Sequence, residues 1–285
     1  MQKTMVVTGG TGGIGLNTAI GLAKTQARVV VTGRDAERGE HAVARIRAES
    51  GNEAVSLVTG DLSTRAGVAA LGDALLGVVD PIDVLVNNAG LMAQERRVND
   101  DGVELNFAVN VVAPYVLTQH LKPALMAAEM ARVLMVTGGK PSGPFDASDL
   151  QSEASFVPLV NYTMTKRAEE AMSLVLASEL ATDGVFVTIV YPGRASTAMT
   201  RAMTPSSLPW FLRPAWPVFR FLIPKDDGGK SAAKAARSSI FAATTDRLRG
   251  ESGTYIDMNQ QVAKLHPTVH DPDNQAKVMA AIRGH

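Results

Sequence analysis

The chain has 285 residues, 46% hydrophobic and 20% charged, with 28 basic and 28 acidic side chains in formal balance. A chain of this length can bury roughly 75% of its unfolded surface, and a net charge of zero offers no general field to gather nucleic acid. With no cysteine, a disulfide scaffold, a thiolate zinc site and a thiol nucleophile are all excluded.

Glycines interrupt the first apolar run after a few residues, too early for a secretory signal. No run of about 20 apolar residues follows, so no transmembrane helix is expected and the cytosol is the plain reading. Short Val- and Ile-rich runs at 3–7, 28–32, 55–58, 84–87, 132–137 and 186–191 lack polar alternation, as strands covered on both faces do. Helical patterns at 13–25, 37–48, 63–76, 102–128 and 160–181 lie between them, and 253–256 adds a late strand. Strand then helix, repeated, predicts an α/β fold: one doubly wound parallel sheet of about seven strands with helices on both faces. No repeat or linker divides it, so residues 1–285 read as a single domain.

Residues 195–229 break this rhythm, with five prolines among Trp210, Phe211, Trp216, Phe219 and Phe221. A long non-periodic insertion of this kind reads as a substrate lid. Packing as short helices and peripheral membrane contact through 205–224, with Arg201, Arg213, Arg220 and Lys225, are the other two uses of such a segment. Asp226-Asp227, ahead of Gly228-Gly229, reads as a turn and helix start.

The first strand runs into Thr8-Gly9-Gly10-Thr11-Gly12-Gly13-Ile14-Gly15 and then a helix. Glycines let the backbone approach a pyrophosphate, and a helix N-terminus presents free N–H groups to it. The second strand ends Thr32-Gly33-Arg34-Asp35. A carboxylate in this place holds a ribose 2′-hydroxyl and an arginine accommodates a 2′-phosphate, so Gly33 followed by Arg34 favours NADP(H) over NAD(H) unless Asp35 turns inward. Tyr162 and Lys166 are four apart and share a helix face. An ammonium beside a phenol favours the phenolate, which suits the tyrosine to exchange a proton with a carbonyl oxygen.

Taken in order, these pieces resemble the short-chain dehydrogenase/reductase family over roughly residues 1–260. Thr8-Gly9-x-x-x-Gly13-Ile14-Gly15 is similar to its cofactor motif, Asp61-Leu62 to the pair beside the adenine, and Asn87-Asn88-Ala89-Gly90 to the motif ending its fourth strand. Asn110, Tyr162 and Lys166 match three members of its catalytic tetrad; Pro192-Gly193 and Thr197 match the turn and the nicotinamide contact that follow. The resemblance implies a Rossmann-type fold, hydride transfer to or from nicotinamide, Tyr162 as general acid/base, Lys166 on the nicotinamide ribose, and Asn110 anchoring a water that relays protons. A homo-oligomer is also implied. Asp149-Leu150-Gln151-Ser152-Glu153 and Ser252-Gly253-Thr254-Tyr255 resemble the retinol-dehydrogenase-like branch, which implies a small lipophilic alcohol or carbonyl substrate.

One position departs from the family pattern. Gly138 stands where the tetrad serine is usual, and removing one such donor costs about 10²–10³ in rate. Thr137, Ser142, the Gly138 and Gly139 amides and a hydroxyl on the substrate itself are the available surrogates. The loss also keeps open a second reading, a weakly active or inactive NADP(H)-binding regulator on the same fold. His266 and His270 lack a third ligand, so they read as surface histidines and no metal site is expected.

Overall fold

The computed structural model describes residues 2–138, 144–222 and 227–284. Strands β1 (Thr4–Val7), β2 (Arg28–Gly33), β3 (Val55–Thr59), β4 (Val84–Asn87), β5 (Ala131–Val136), β6 (Val185–Val190) and β7 (Thr254–Ile256) pair in parallel. The sheet order is β3-β2-β1-β4-β5-β6-β7-β8. β8 (Val262–Ala263) adds an eighth, antiparallel strand beyond the seven expected. It is two residues long, returning from a turn closed by the Asp257 N–H on the Gln261 carbonyl, and so short a run carries no periodic signal.

Successive strand residues leave a sheet on opposite faces. Val6, Val30, Leu85, Val133 and Val187 enter one core with Phe107, Leu117, Leu121 and Leu176. Met5, Val29, Val31, Val84 and Leu134 enter the other with Leu22 and Ile46. Both faces are dry, which is why the strand sequences are apolar throughout.

α1 (Gly13–Ala23), α2 (Ala36–Ser50) and, later, a helix over Lys230–Thr244 cover the second face. α3 (Arg65–Leu76) opens the first face. The single helix expected over 102–128 is interrupted: α4 (Leu105–Phe107), a π-helical turn over Ala108–Val112, α5 (Ala113–His120) and α6 (Lys122–Met126) replace it. Pro114 and Pro123 lack the N–H groups a continuous ladder needs, and each sits at the start of a new segment. π turns concentrate at functional positions, and this one carries Asn110. The chain continues through α7 (Pro158–Ala181), α8 (Ala198–Arg201), α9 (Trp216–Leu222), α10 (the Lys230–Thr244 helix) and α11 (Pro272–Arg283). α10 begins directly after Gly229, and Asp227 Oδ2 accepts from the Ser231 N–H at 2.7 Å, so the turn and helix start at Asp227 are in place; Asp226 lies outside the described residues.

The strand order reverses between β1 and β4. In a doubly wound sheet the crevice at the carboxyl ends of strands on either side of such a reversal is the ligand site.

Candidate active site

A cleft of about 1310 Å³ opens at that reversal. Every predicted site residue lines it except Thr8 and Asn110, which lie buried behind its wall.

The glycine turn is shaped by contacts that leave no room for side chains. Gly9 and Gly13 have φ of +64° and +55°, the left-handed region that favours glycine. A Cβ on Gly15 would collide with Asn88 Nδ2 and the Gly9 carbonyl, so α1 enters against the loop itself. Thr8 Oγ1 accepts from the N–H groups of Asn88 (3.0 Å) and Ala89 (3.1 Å), and Asn88 Nδ2 donates to the Thr8 carbonyl (2.9 Å). These bonds tie the end of β4 to the turn after β1. Gly12 caps α1 with extended backbone and no side-chain hydrogen bond, and no acidic residue occupies the first turn. The first amides of α1 therefore have no capping side chain at the cleft, the arrangement that receives a phosphate.

At the end of β2, Asp35 lines the cleft beside Arg34 and also serves as a helix cap. Its Oδ1 accepts from the Arg38 N–H at 3.0 Å and caps α2. Arg34 and Arg38 both line the cleft, and Arg38 Nε reaches the Thr11 carbonyl at 3.4 Å. Sequence reading missed Arg38. An arginine four residues after Arg34, in the first turn of a helix capped by Asp35, was the available signal. Asp61 accepts from the Ser63 N–H (3.0 Å) and hydroxyl (2.7 Å), which holds Leu62 at the cleft wall.

Tyr162 and Lys166 stand one turn apart on α7, both at the cleft. Lys166 Nζ donates to the Val136 carbonyl at 3.0 Å and pairs with Glu169 Oε2 at 2.8 Å, and Lys166 and Glu169 are almost wholly buried. Behind this pair, Glu170 accepts from Arg167 Nη1 at 3.1 Å and from Thr137 Oγ1 at 2.9 Å. Burial lifts the Glu169 carboxyl to about 7 against the pull of Lys166. Burial alone would lower the Lys166 ammonium, but Glu169, Tyr162 and Glu170 together raise it, so it stays charged. Burial also pushes the Tyr162 phenol above its ordinary value; Lys166 pulls it down, while Glu169 and Tyr191 oppose that pull. Lys166 thus pulls the phenol in the expected direction, and burial, joined by the carboxyl of Glu169, outweighs that pull. Nothing in the Tyr-x-x-x-Lys spacing identified Glu169, since acidic residues three and four after a helical lysine ordinarily lie on a solvated face.

Gly138 faces the phenol. A Cβ built on it would fall within the van der Waals envelope of Tyr162 Oη, so the hydroxyl of Tyr162 occupies the room a serine side chain would need. Thr137 is not a free surrogate: its hydroxyl is committed to Glu170 and also approaches the Lys166 carbonyl at 3.4 Å. Ser142 and Gly139 lie outside the described residues. Gly138→Ala and Gly138→Ser are both expected to displace the Tyr162 ring, costing about 1–3 kcal/mol of stability as overpacking does. Thermal melts paired with kcat for the two variants check this, the expected result being a lower Tm and no gain in turnover from either.

Asn110 is fully buried in the π turn. Its Oδ1 accepts from the Leu91 N–H at 2.7 Å, and its Nδ2 donates to the Leu91 carbonyl (2.9 Å) and Thr165 Oγ1 (3.0 Å). It clamps the loop after Gly90 onto α7, which fixes the cleft floor beside Lys166. Across the cleft, Pro192, Gly193 and Thr197 form the opposite lip; Gly193 has φ +83°, and the Thr197 hydroxyl accepts from the Thr200 N–H at 3.3 Å to cap α8. Among the described residues of 195–229, those that line the cleft are Ala195, Thr197, Ala198, Met199, Thr200 and Met203, all in its first part. Trp210, Phe211 and Phe221 do not cover it and are 78%, 62% and 81% exposed.

The sequence profile described as short chain dehydrogenase matches residues 3–207. The chain belongs to the short-chain dehydrogenase/reductase family. Within it the chain sits in the retinol-dehydrogenase-like branch. It is 32% identical to mouse (Mus musculus) polyprenol dehydrogenase over 290 residues, covering 98% of this chain and 82% of that protein. It is 29% identical to human (Homo sapiens) retinol dehydrogenase 13 over 280 residues, covering 98% and 82% respectively. Among solved structures, the Pseudomonas aeruginosa RhlG/NADP active-site complex superposes with a TM-score of 0.65 at 28% identity, over 90% of this chain and 94% of that one. This short-chain dehydrogenase/reductase is an oxidoreductase that uses a nicotinamide cofactor. Among the described residues, no helix is long and apolar enough to cross a membrane.

Proposed function

We propose that the chain is an NADP(H)-preferring dehydrogenase/reductase acting on a lipophilic alcohol or carbonyl compound. The observation that carries this reading is the Tyr162 hydroxyl held over Gly138 at the cleft floor, with the Lys166 ammonium one helical turn away and the glycine turn forming the adjoining wall. The uncapped α1 N-terminus and the side-chain-free cradle of Gly9, Gly13 and Gly15 fit a pyrophosphate. Arg34 and Arg38 fit a 2′-phosphate, and Asp35 spends one carboxylate oxygen on capping α2. When bound, the nicotinamide supplies or receives the hydride.

The protein's own part is acid–base and positional. In the reducing direction Tyr162 Oη donates its proton to the substrate oxygen as that oxygen gains charge; in the oxidising direction it takes the proton back. Lys166 supplies fixed positive charge beside the phenol and hydrogen-bond donors toward the ribose. Asn110 acts through Leu91 and Thr165, holding the floor in register. Leu91, Met92, Leu159, Met199 and Met203 give the substrate end an apolar lining, and the relatives named for retinol and polyprenol are consistent with a lipophilic substrate.

NADPH absorbance decays with a hydrophobic aldehyde or ketone if this reading holds. Removing Arg34 and Arg38 together (Arg34→Ala/Arg38→Ala) is expected to raise KM for NADPH about 10- to 100-fold, the range for lost charge-assisted contacts. KM for NADH should stay unchanged, and parallel titrations with the two cofactors check it. Gly138 favours one other reading, a cofactor-binding regulator; tight NADPH binding with no turnover across a broad carbonyl panel would select it.

A further inference from the structure

We propose that residues 209–221 form a docking surface for an anionic lipid bilayer, placing the mouth of the cleft at the membrane. Its use as a route for substrate rests on the oxidoreductase reading above; the docking itself does not.

The surface stands out from the rest of the molecule. Trp210, Phe211, Leu212, Val218 and Phe221 are exposed, and they include every strongly exposed tryptophan and phenylalanine among the described residues. Trp210 and Phe211 meet edge to face, with ring centroids 6.0 Å apart. Such a concentration of exposed apolar side chains marks an interaction site. Its charge is one-sided as well. From Arg194 to Leu222 the sequence holds four arginines and no aspartate or glutamate, in a chain whose net charge is zero. Arg213 and Arg220 are exposed between the aromatic residues.

Aromatic and aliphatic side chains flanked only by arginines match an anionic interface, where the rings sit at headgroup level and the guanidinium groups meet lipid phosphates. A second copy of this chain fits worse, because a two-fold contact would bring Arg213 and Arg220 against their own counterparts. The surface is also anchored in place. Ser207 and Leu208 are buried, and Ser207 Oγ donates to Gln94 Oε1 at 2.7 Å. Met203, a few residues upstream, lines the cleft. Along the chain, the docking segment follows within seven residues of that apolar lining.

The experiment uses the full chain with two kinds of vesicle, phosphatidylcholine alone and phosphatidylcholine with phosphatidylglycerol. Both tryptophans of the chain, Trp210 and Trp216, lie in this segment, so a blue shift of intrinsic emission reports on it alone. The expected result is co-sedimentation with that shift, roughly 10- to 30-fold stronger for the anionic vesicles given two participating arginines. Phe211→Ser/Phe221→Ser should abolish binding, and Arg213→Glu/Arg220→Glu should remove the preference for anionic lipid. Both double variants should retain the parent's Tm and its turnover of a short water-soluble carbonyl without vesicles. No binding of the parent to anionic vesicles overturns the proposal, as does a concentration-dependent dimer that Phe211→Ser/Phe221→Ser dissolves. Vesicle binding without NADPH turnover supports docking while removing the redox reading. Turnover without vesicle binding does the reverse.

Discussion

Tyr162→Phe is expected to lower kcat by about 10²–10⁴-fold, the range for losing a positioned acid–base group, while NADPH affinity stays within a factor of about two. The phenyl ring keeps the packing over Gly138 and the wall of the cleft and removes only the hydroxyl, so binding and chemistry separate cleanly. Single-turnover reduction with NADPH in excess measures the chemical step, and fluorescence titration of the cofactor measures binding. A variant that turns over as fast as the parent would exclude Tyr162 as the proton donor. The absence of a serine hydroxyl at Gly138 sharpens the expectation, since the phenol faces the space where the second donor would stand. With no serine to share the developing charge, more of the stabilisation falls on Tyr162.

Glu169 carries the second large effect. Truncation to alanine leaves the Lys166 ammonium buried with only the Val136 carbonyl of its two hydrogen-bond partners. Breaking a buried pair from one side costs about 3–5 kcal/mol, so Glu169→Ala should melt far below the parent. Glu169→Gln keeps an acceptor for Nζ and removes only the charge, which makes it the informative variant. The sign of its pH effect follows from the carboxyl, at about 7 in the folded protein against an ordinary 4.5. The folded chain then binds this proton more tightly than the unfolded chain. Stability from this group is complete below pH 4.5, falls as pH rises toward 7 and levels off above it. Glu169→Gln should flatten that part of the Tm-versus-pH curve.

Activity should move as well. Arg167, Lys166, Glu170, Tyr162 and Tyr191 surround the same buried cluster, and Glu169 opposes the pull of Lys166 on the phenol. Without that carboxylate the pull of the ammonium is less opposed, so Glu169→Gln should shift the alcohol-oxidation profile of kcat/KM to lower pH by on the order of one unit. A profile that matches the parent's, with Tm unchanged across pH, would leave Glu169 as packing.

Much of this molecule is readable from its residues. The Val-rich runs without alternation specify strands buried on both faces, and the repeat of strand and helix specifies a parallel sheet. Those are local signals, carried by periodicity over a few residues. The glycine turn, Asn88-Ala89-Gly90, Asn110, Tyr162 and Lys166 are legible for the same reason: fixed spacings that converge once the sheet order reverses between β1 and β4.

What the sequence by itself determined, then, is the sheet, the cleft and the identity of the phenol and ammonium within it. Tertiary structure decided how those groups behave. Whether Thr137 can replace a missing serine, and whether an acid three residues after Lys166 meets water or the ammonium, depend on contacts between residues distant in the chain or on the face a helix buries. The break at Ala108–Val112 and the outward aromatics of 209–221 belong to the same class. Spacing fixes which residues share an element. Only packing fixes which neighbour takes each hydrogen bond and which side chains lose their water, and those two terms set a group's charge.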